Sequence, residues 1–109
     1  MFDEICNLIS SEVDEVPKEY SVGKFHGLGW LFIGNIEDSS PLIAIKEYEK
    51  TVNVYFFLFE DGRSVIEDYQ EVFKKSNLGK SCIRLRSLTD EKRLALRKLA
   101  KQASMRANS

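Results

Sequence analysis

At 109 residues, 43% hydrophobic and 30% charged, the chain has room for one core, so a single domain spanning residues 1–109 is expected. Seven Phe, four Tyr and one Trp argue against disorder, and no apolar run approaches the roughly 20 residues of a membrane span. The net charge of −1 is unevenly laid out: residues 1–20 carry six acids against Lys18 alone, and residues 80–109 carry nine bases against Asp90 and Glu91.

Residues 2–16 predict an amphipathic helix. Phe2, Ile5, Ile9, Val13 and Val16 recur at three- and four-residue steps, with Leu8 beside them. Asp3 and Glu4 suit the positive end of its dipole, and Pro17 stops it. This segment has acids where a secretory leader has bases, so no leader is expected. Residues 21–59 predict β-structure, with apolar groups at 22–25, 28–33, 42–45 and 52–59 punctuated by Gly23, Gly27, Gly29 and Gly34. Residues 35–41 predict a polar loop and 47–50 a hairpin connection. Within 52–59 the alternation gives way to two apolar faces, which predicts a central strand whose end is covered on both sides. Asp61 and Gly62 turn the chain. A short helix follows, with Ser64 as N-cap and Val65, Ile66, Tyr69, Val72 and Phe73 on its apolar side; Asn77 and Gly79 end it. Residues 81–86 predict a strand with Ile83 and Leu85 on one side and Cys82, Arg84 and Arg86 on the other. Thr89 caps a last helix with Leu96, Leu99, Ala100 and Ala103 on its inner face, and residues 105–109 are expected to fray. This order describes an α+β fold, an antiparallel sheet flanked by N-terminal, middle and C-terminal helices.

His26 is the sole histidine and no nucleophile motif surrounds it, so it reads as a surface or structural residue and no enzyme activity is expected. Two cysteines are too few for a disulfide framework and read as reduced thiols in a cytoplasmic setting. Cys6, among Ile5, Leu8 and Ile9, reads as a core thiol. Cys82 shares a strand face with Lys80, Arg84 and Arg86, whose charge favours thiolate; the four are a candidate anion- or ligand-binding face. Leu78-Gly79-Lys80-Ser81 echoes the end of a P-loop. The residue five before Gly79 is Lys74, however, and a strand follows, which excludes nucleotide binding by that route. The bases of the last helix alternate with Leu and Ala without an aromatic platform, so no nucleic-acid partner is expected. Glu12, Glu15 and Glu19, with Glu37-Asp38 and Glu60-Asp61, are the carboxylates available for a hard cation, without calcium-loop spacing.

The string Gly79-Lys80-Ser81-Cys82-Ile83-Arg84-Leu85-Arg86-Ser87-Leu88-Thr89-Asp90, followed by a Leu-rich helix, resembles the C-terminal signature of the YdhG-like domain-of-unknown-function family. Residues 49–57 (EKTVNVYFF) resemble that family's central strand and 40–46 the strand before it. The resemblance implies a YdhG-like α+β domain. Through one branch of the family it implies intracellular iron delivery to iron–sulfur and haem synthesis, with ferrous iron held weakly by Glu12, Glu15 and Glu19. The expectation is a small binding or carrier domain, iron-handling by resemblance. The alternatives are an anionic-ligand domain using Lys80, Cys82, Arg84 and Arg86, and a homodimeric interaction module. The partner is then a small ligand or a protein, and the chain a monomer or homodimer.

Overall fold

The structure, a computed structural model, describes residues 1–34 and 39–109; the middle of the expected polar loop lies outside the described residues. The apolar stripe of the N-terminal segment folds as helix α1 (Phe2–Val13), with Ile5, Leu8, Ile9 and Val13 buried. It ends earlier than Pro17 would impose. Asp14 adopts the left-handed conformation (φ 54°), and the amides of Asp14 and Glu15 both turn back to the Ser10 carbonyl. That closure satisfies the orphan carbonyl and reverses the chain. Val16, expected on the apolar face, is therefore thrown outward and is 74% exposed.

Five strands follow in one antiparallel sheet: β1 (Lys18–Val22), β2 (Phe25–Ile33), β3 (Ser40–Glu47), β4 (Val52–Phe56) and β7 (Cys82–Leu85), in the spatial order β1-β2-β3-β4-β7. A two-residue ribbon, β5 (Phe59–Glu60) with β6 (Arg63–Ser64), stands apart from it. The turns carry the residues their geometry demands. Gly23, at φ 57°, opens the two-residue β1–β2 turn, as a type II′ turn requires. Asp61 and Gly62, at φ 53° and 76°, close the ribbon as a type I′ turn. The strand expected over 52–59 stops at Phe56, where the Phe57 amide donates to the Leu42 carbonyl at 2.8 Å. It lies inside the sheet, but its apolar end is not covered on both sides: Phe57 is 36% exposed.

The middle helix is shorter than its apolar pattern implies, a 3₁₀ turn at Val65–Tyr69 leading into α2 (Gln70–Phe73). Ser64 precedes it without capping it, and its buried hydroxyl has no partner among the described residues. Helix α3 (Asp90–Ala107) starts where Thr89 predicts, the Lys92 amide donating to Thr89 Oγ1 at 3.2 Å. The C-terminal end does not fray at residue 105. Arg106 donates to the Phe59 carbonyl at 3.1 Å and ties the last turn to the ribbon.

Helices α1 and α3 pack on each other and on the same side of the sheet. Arg93 joins the acidic and basic halves of the chain, reaching Glu4 at 2.7 Å and Asp90 at 2.9 Å. Between helices and sheet lies the core, where Trp30, Phe56, Ile83, Leu85, Leu96 and Leu99 are fully buried. The Trp30 indole N–H donates to the Ser10 hydroxyl at 3.0 Å, so the one polar atom of that ring is satisfied. Among the described residues no helix is long and apolar enough to cross a membrane.

Candidate binding face

With both long helices on one side, the other side of the sheet is bare among the described residues, and strand alternation decides what it presents. The register sets Lys18 beside Gly29, Gly29 beside Ala44, Ala44 beside Tyr55 and Tyr55 beside Cys82, one row across the whole sheet. A second row runs Lys46, Asn53, Arg84. Tyr20 and Phe25 belong to the same face through the β1–β2 pairing. Leu31 interrupts the alternation of β2. At φ 57° it turns inward next to Trp30, its amide donates to the Glu15 carboxylate at 2.7 Å, and Phe32 is passed to the bare side.

Two glycines make the aromatic packing of this face possible. A Cβ on Gly27 would stand 3.0 Å from two carbons of the Phe25 ring and collide with the Ile45 carbonyl oxygen. On Gly29 it would stand 2.9 Å from Pro41 and 3.0 Å from the Phe32 ring. The rings of Phe25 and Phe32 thus occupy the space that side chains at 27 and 29 would fill. Tyr20 touches both, at centroid distances of 5.8 and 5.9 Å; Phe25 meets Tyr55 edge-on at 5.3 Å; Tyr55 lies parallel to Phe57 at 6.2 Å. The result is a continuous aromatic strip with Val22 and Phe57 exposed along it. A hollow of about 180 Å³ lies between Tyr20, Phe25, Ala44 and Tyr55, and another of about 310 Å³ adjoins it beside Ile33 and Leu42.

No protein-family model, curated protein or solved structure matches this chain.

Among the described residues of the strands, the charge on the face has one sign. Lys18, Lys46 and Arg84 are its charged strand residues, and no carboxylate shares the two rows. The ion pairs among the described residues lie elsewhere, at Arg63, Arg93 and Arg106, so these three cations have no carboxylate partner there. The Lys46 ammonium rests 5.5 Å from the Phe25 centroid and 5.0 Å from that of Tyr48, so the strip's own ring faces hold it.

Of the four residues expected to form an anion site, the structure keeps two on this face. Cys82 and Arg84 sit on it at β7. Lys80 lies instead in the tight turn between Leu78 and Ile83, closed by the Gly79 amide donating to the Cys82 carbonyl at 2.8 Å. Arg86 is past the strand and donates to Asn77 Oδ1 at 3.1 Å. Cys82 is also half-buried. Burial pushes its thiol up, outweighing the Tyr55 hydroxyl and Arg84, which pull it down. Burial likewise pushes Cys6 up to about 11, reinforced by Asp3 and Glu47, and raises the Tyr55 phenol, helped by the Tyr48 hydroxyl.

The expected iron ligands are not assembled. Glu12 lies on α1, Glu15 is taken up by the Leu31 amide, and Glu19 points from β1 to the helix side, beside Leu28. Among the described residues no three His, Cys, Asp or Glu side chains come together to hold a metal ion, so the carboxylate set implied by the family resemblance does not fit. Glu37-Asp38 lie outside the described residues. Glu60 is engaged by Arg106 and Gln102. His26 is exposed, its Nδ1 2.9 Å from the Ser21 hydroxyl. Sequence reasoning missed Tyr20, Phe25, Tyr55 and Lys46 as a group. The available signal was the alternation Phe25-Gly27-Gly29, which leaves room on one face of a strand for large rings.

Proposed function

We propose that this chain is a small non-enzymatic binding module whose working surface is the bare face of the sheet. Its ligand is an anion with a flat or apolar body. The observation that carries this is the coincidence, on one face that no described element covers, of a continuous aromatic strip with three cations that have no carboxylate partner among the described residues. Rings give apolar contact area at low entropic cost, and unpaired cations select charge. The hollows are shallow, so they do not exclude water as a reaction site must, and the raised thiol of Cys82 is a poor nucleophile at neutral pH. Both features support binding over catalysis. The YdhG-like resemblance supports a cytoplasmic binding or carrier role, and of the residues considered for an anion site, Lys80, Cys82, Arg84 and Arg86, two belong to this face, Cys82 and Arg84.

The test uses 8-anilinonaphthalene-1-sulfonate, which joins a sulfonate to fused rings. The native protein should bind it and enhance its fluorescence. Lys46→Ala with Arg84→Ala should weaken binding roughly ten-fold, the effect of losing about 1.4 kcal/mol of charge attraction. Lys98→Ala, on the exposed side of α3, should leave binding unchanged. Absence of binding to the folded parent overturns the proposal.

A further inference from the structure

Resting on that reading, we infer that the bare face binds single-stranded nucleic acid, with bases stacked on the aromatic strip and phosphates held by Lys18, Lys46 and Arg84. The spread of the cations points to a polymer. Lys18 is on β1, Lys46 on β3 and Arg84 on β7, and the order β1-β2-β3-β4-β7 puts four strand intervals between the outer two. At about 4.8 Å per interval their backbones are roughly 19 Å apart, with Lys46 midway. One phosphate cannot reach all three, whereas a chain of phosphates crossing the sheet can. The rings lie between the cations, Phe25 and Tyr55 in contact beside Lys46. Alternating charge and ring surface is what an unpaired strand offers in complement, since every base has a stacking face and every linkage a charge.

Other occupants fit less well. A duplex hides its base faces, and the bare side has no helix to enter a groove. An acidic peptide would meet the cations, but the shallow hollows give its side chains no enclosed pocket. A second copy laid face to face would set one cationic patch against another. The bases of α3 take no part, because that helix covers the opposite side of the sheet.

The experiment is fluorescence anisotropy with a labelled oligothymidylate about twelve nucleotides long, within the usual site size of such surfaces. Its duplex with oligoadenylate and free thymidine monophosphate serve as comparators, and light scattering reports oligomeric state. The native protein should bind the single strand at low salt. Its logarithmic salt slope should be near −2, from three phosphates at about −0.7 each. Lys46→Ala with Arg84→Ala should weaken binding at least ten-fold and bring the slope to about −0.7. Tyr20→Ala with Phe57→Ala should weaken binding and leave the slope alone. Circular dichroism checks that each variant is folded; should the aromatic pair unfold, the two cation substitutions carry the test, because Arg84 is exposed and Lys46 half-buried. The inference is overturned by equal affinity for duplex, by equal competition by the mononucleotide, by equal loss on Lys98→Ala with Lys101→Ala, or by a dimer abolished by Phe57→Ser. A parent that binds the sulfonate probe and no oligonucleotide overturns it while leaving the binding-face proposal standing. A parent that binds neither removes both.

Discussion

Phe56 and Phe57 are neighbours in the chain and have opposite fates. Phe56 is fully buried on the helix side of the sheet with Val54, Ile43 and Ile45; Phe57, beside Tyr55 and Tyr20, is left at the surface. On the covered side branched aliphatic side chains enclose the rings of Trp30 and Phe56 completely, whereas on the bare side the rings of Phe25 and Phe32 lie over glycines and meet their neighbours without a covering layer. Aliphatic side chains interdigitate with helices and leave nothing to bind. Rings without a covering layer keep a flat, receptive surface and also provide seats for cations.

The largest effect should separate those neighbours. Phe56→Ala removes a fully buried ring and should cost about 3–5 kcal/mol. Phe57→Ala removes a ring already in partial contact with water and should cost roughly 1–2 kcal/mol. Urea midpoints of the two variants decide. If they coincide, the two faces are energetically alike and the bare one is covered in solution.

Much of the covered side was legible from residue spacing. The Ile5, Leu8, Ile9, Val13 stripe, the Thr89 cap, the inward Ile83 and Leu85 and the Asp61-Gly62 turn are set by local periodicity or turn chemistry, and the structure has each of them. The bare side was not legible for a physical reason. Tyr55, Phe57 and Phe25 are as hydrophobic as core residues, and only the landing site of two helices distant in sequence leaves them uncovered. The left-handed residues were hidden as well. Asp14 and Leu31 are not glycines, so nothing local announces the early end of α1 or the switch of Phe32 to the other face.

The next effect tests how that switch is held. Glu15 reaches across from the end of α1 to the Leu31 amide at 2.7 Å, at a backbone conformation that a leucine adopts only at a cost of about 1–2 kcal/mol. Glu15→Ala leaves the amide without its acceptor and should destabilise by about 1–3 kcal/mol. Glu15→Gln retains an acceptor oxygen and should recover part of that. Because Phe32 depends on this turn for its place against Tyr20, Glu15→Ala should also weaken binding of the sulfonate probe on the far side of the sheet. A variant as stable as the parent would show that the turn is held by packing alone.

The smallest effect contrasts a thiol on each side of the sheet. Cys6 belongs to α1 and packs against the core; Cys82 lies on the bare face beside Tyr55. Both are pushed up by burial, so both should alkylate slowly near neutral pH. They differ in their neighbours. Asp3 and Glu47 push Cys6 further in the same direction, whereas the Tyr55 hydroxyl and Arg84 oppose the rise at Cys82. Cys82 should therefore label faster with iodoacetamide, read by mass spectrometry of the native protein. Arg84→Gln should slow it roughly two- to three-fold, and high salt should act in the same direction. The same shifts give a sign for stability. Between the ordinary thiol value of 9.0 and about 11, folded Cys6 keeps a proton that the unfolded chain releases, so stability falls as pH rises through that window. Cys6→Ala should flatten the decline, measured as urea midpoints across the window. Faster labelling of Cys6 than of Cys82 would mean that the aromatic face is closed to a small reagent, and so to any ligand larger than one.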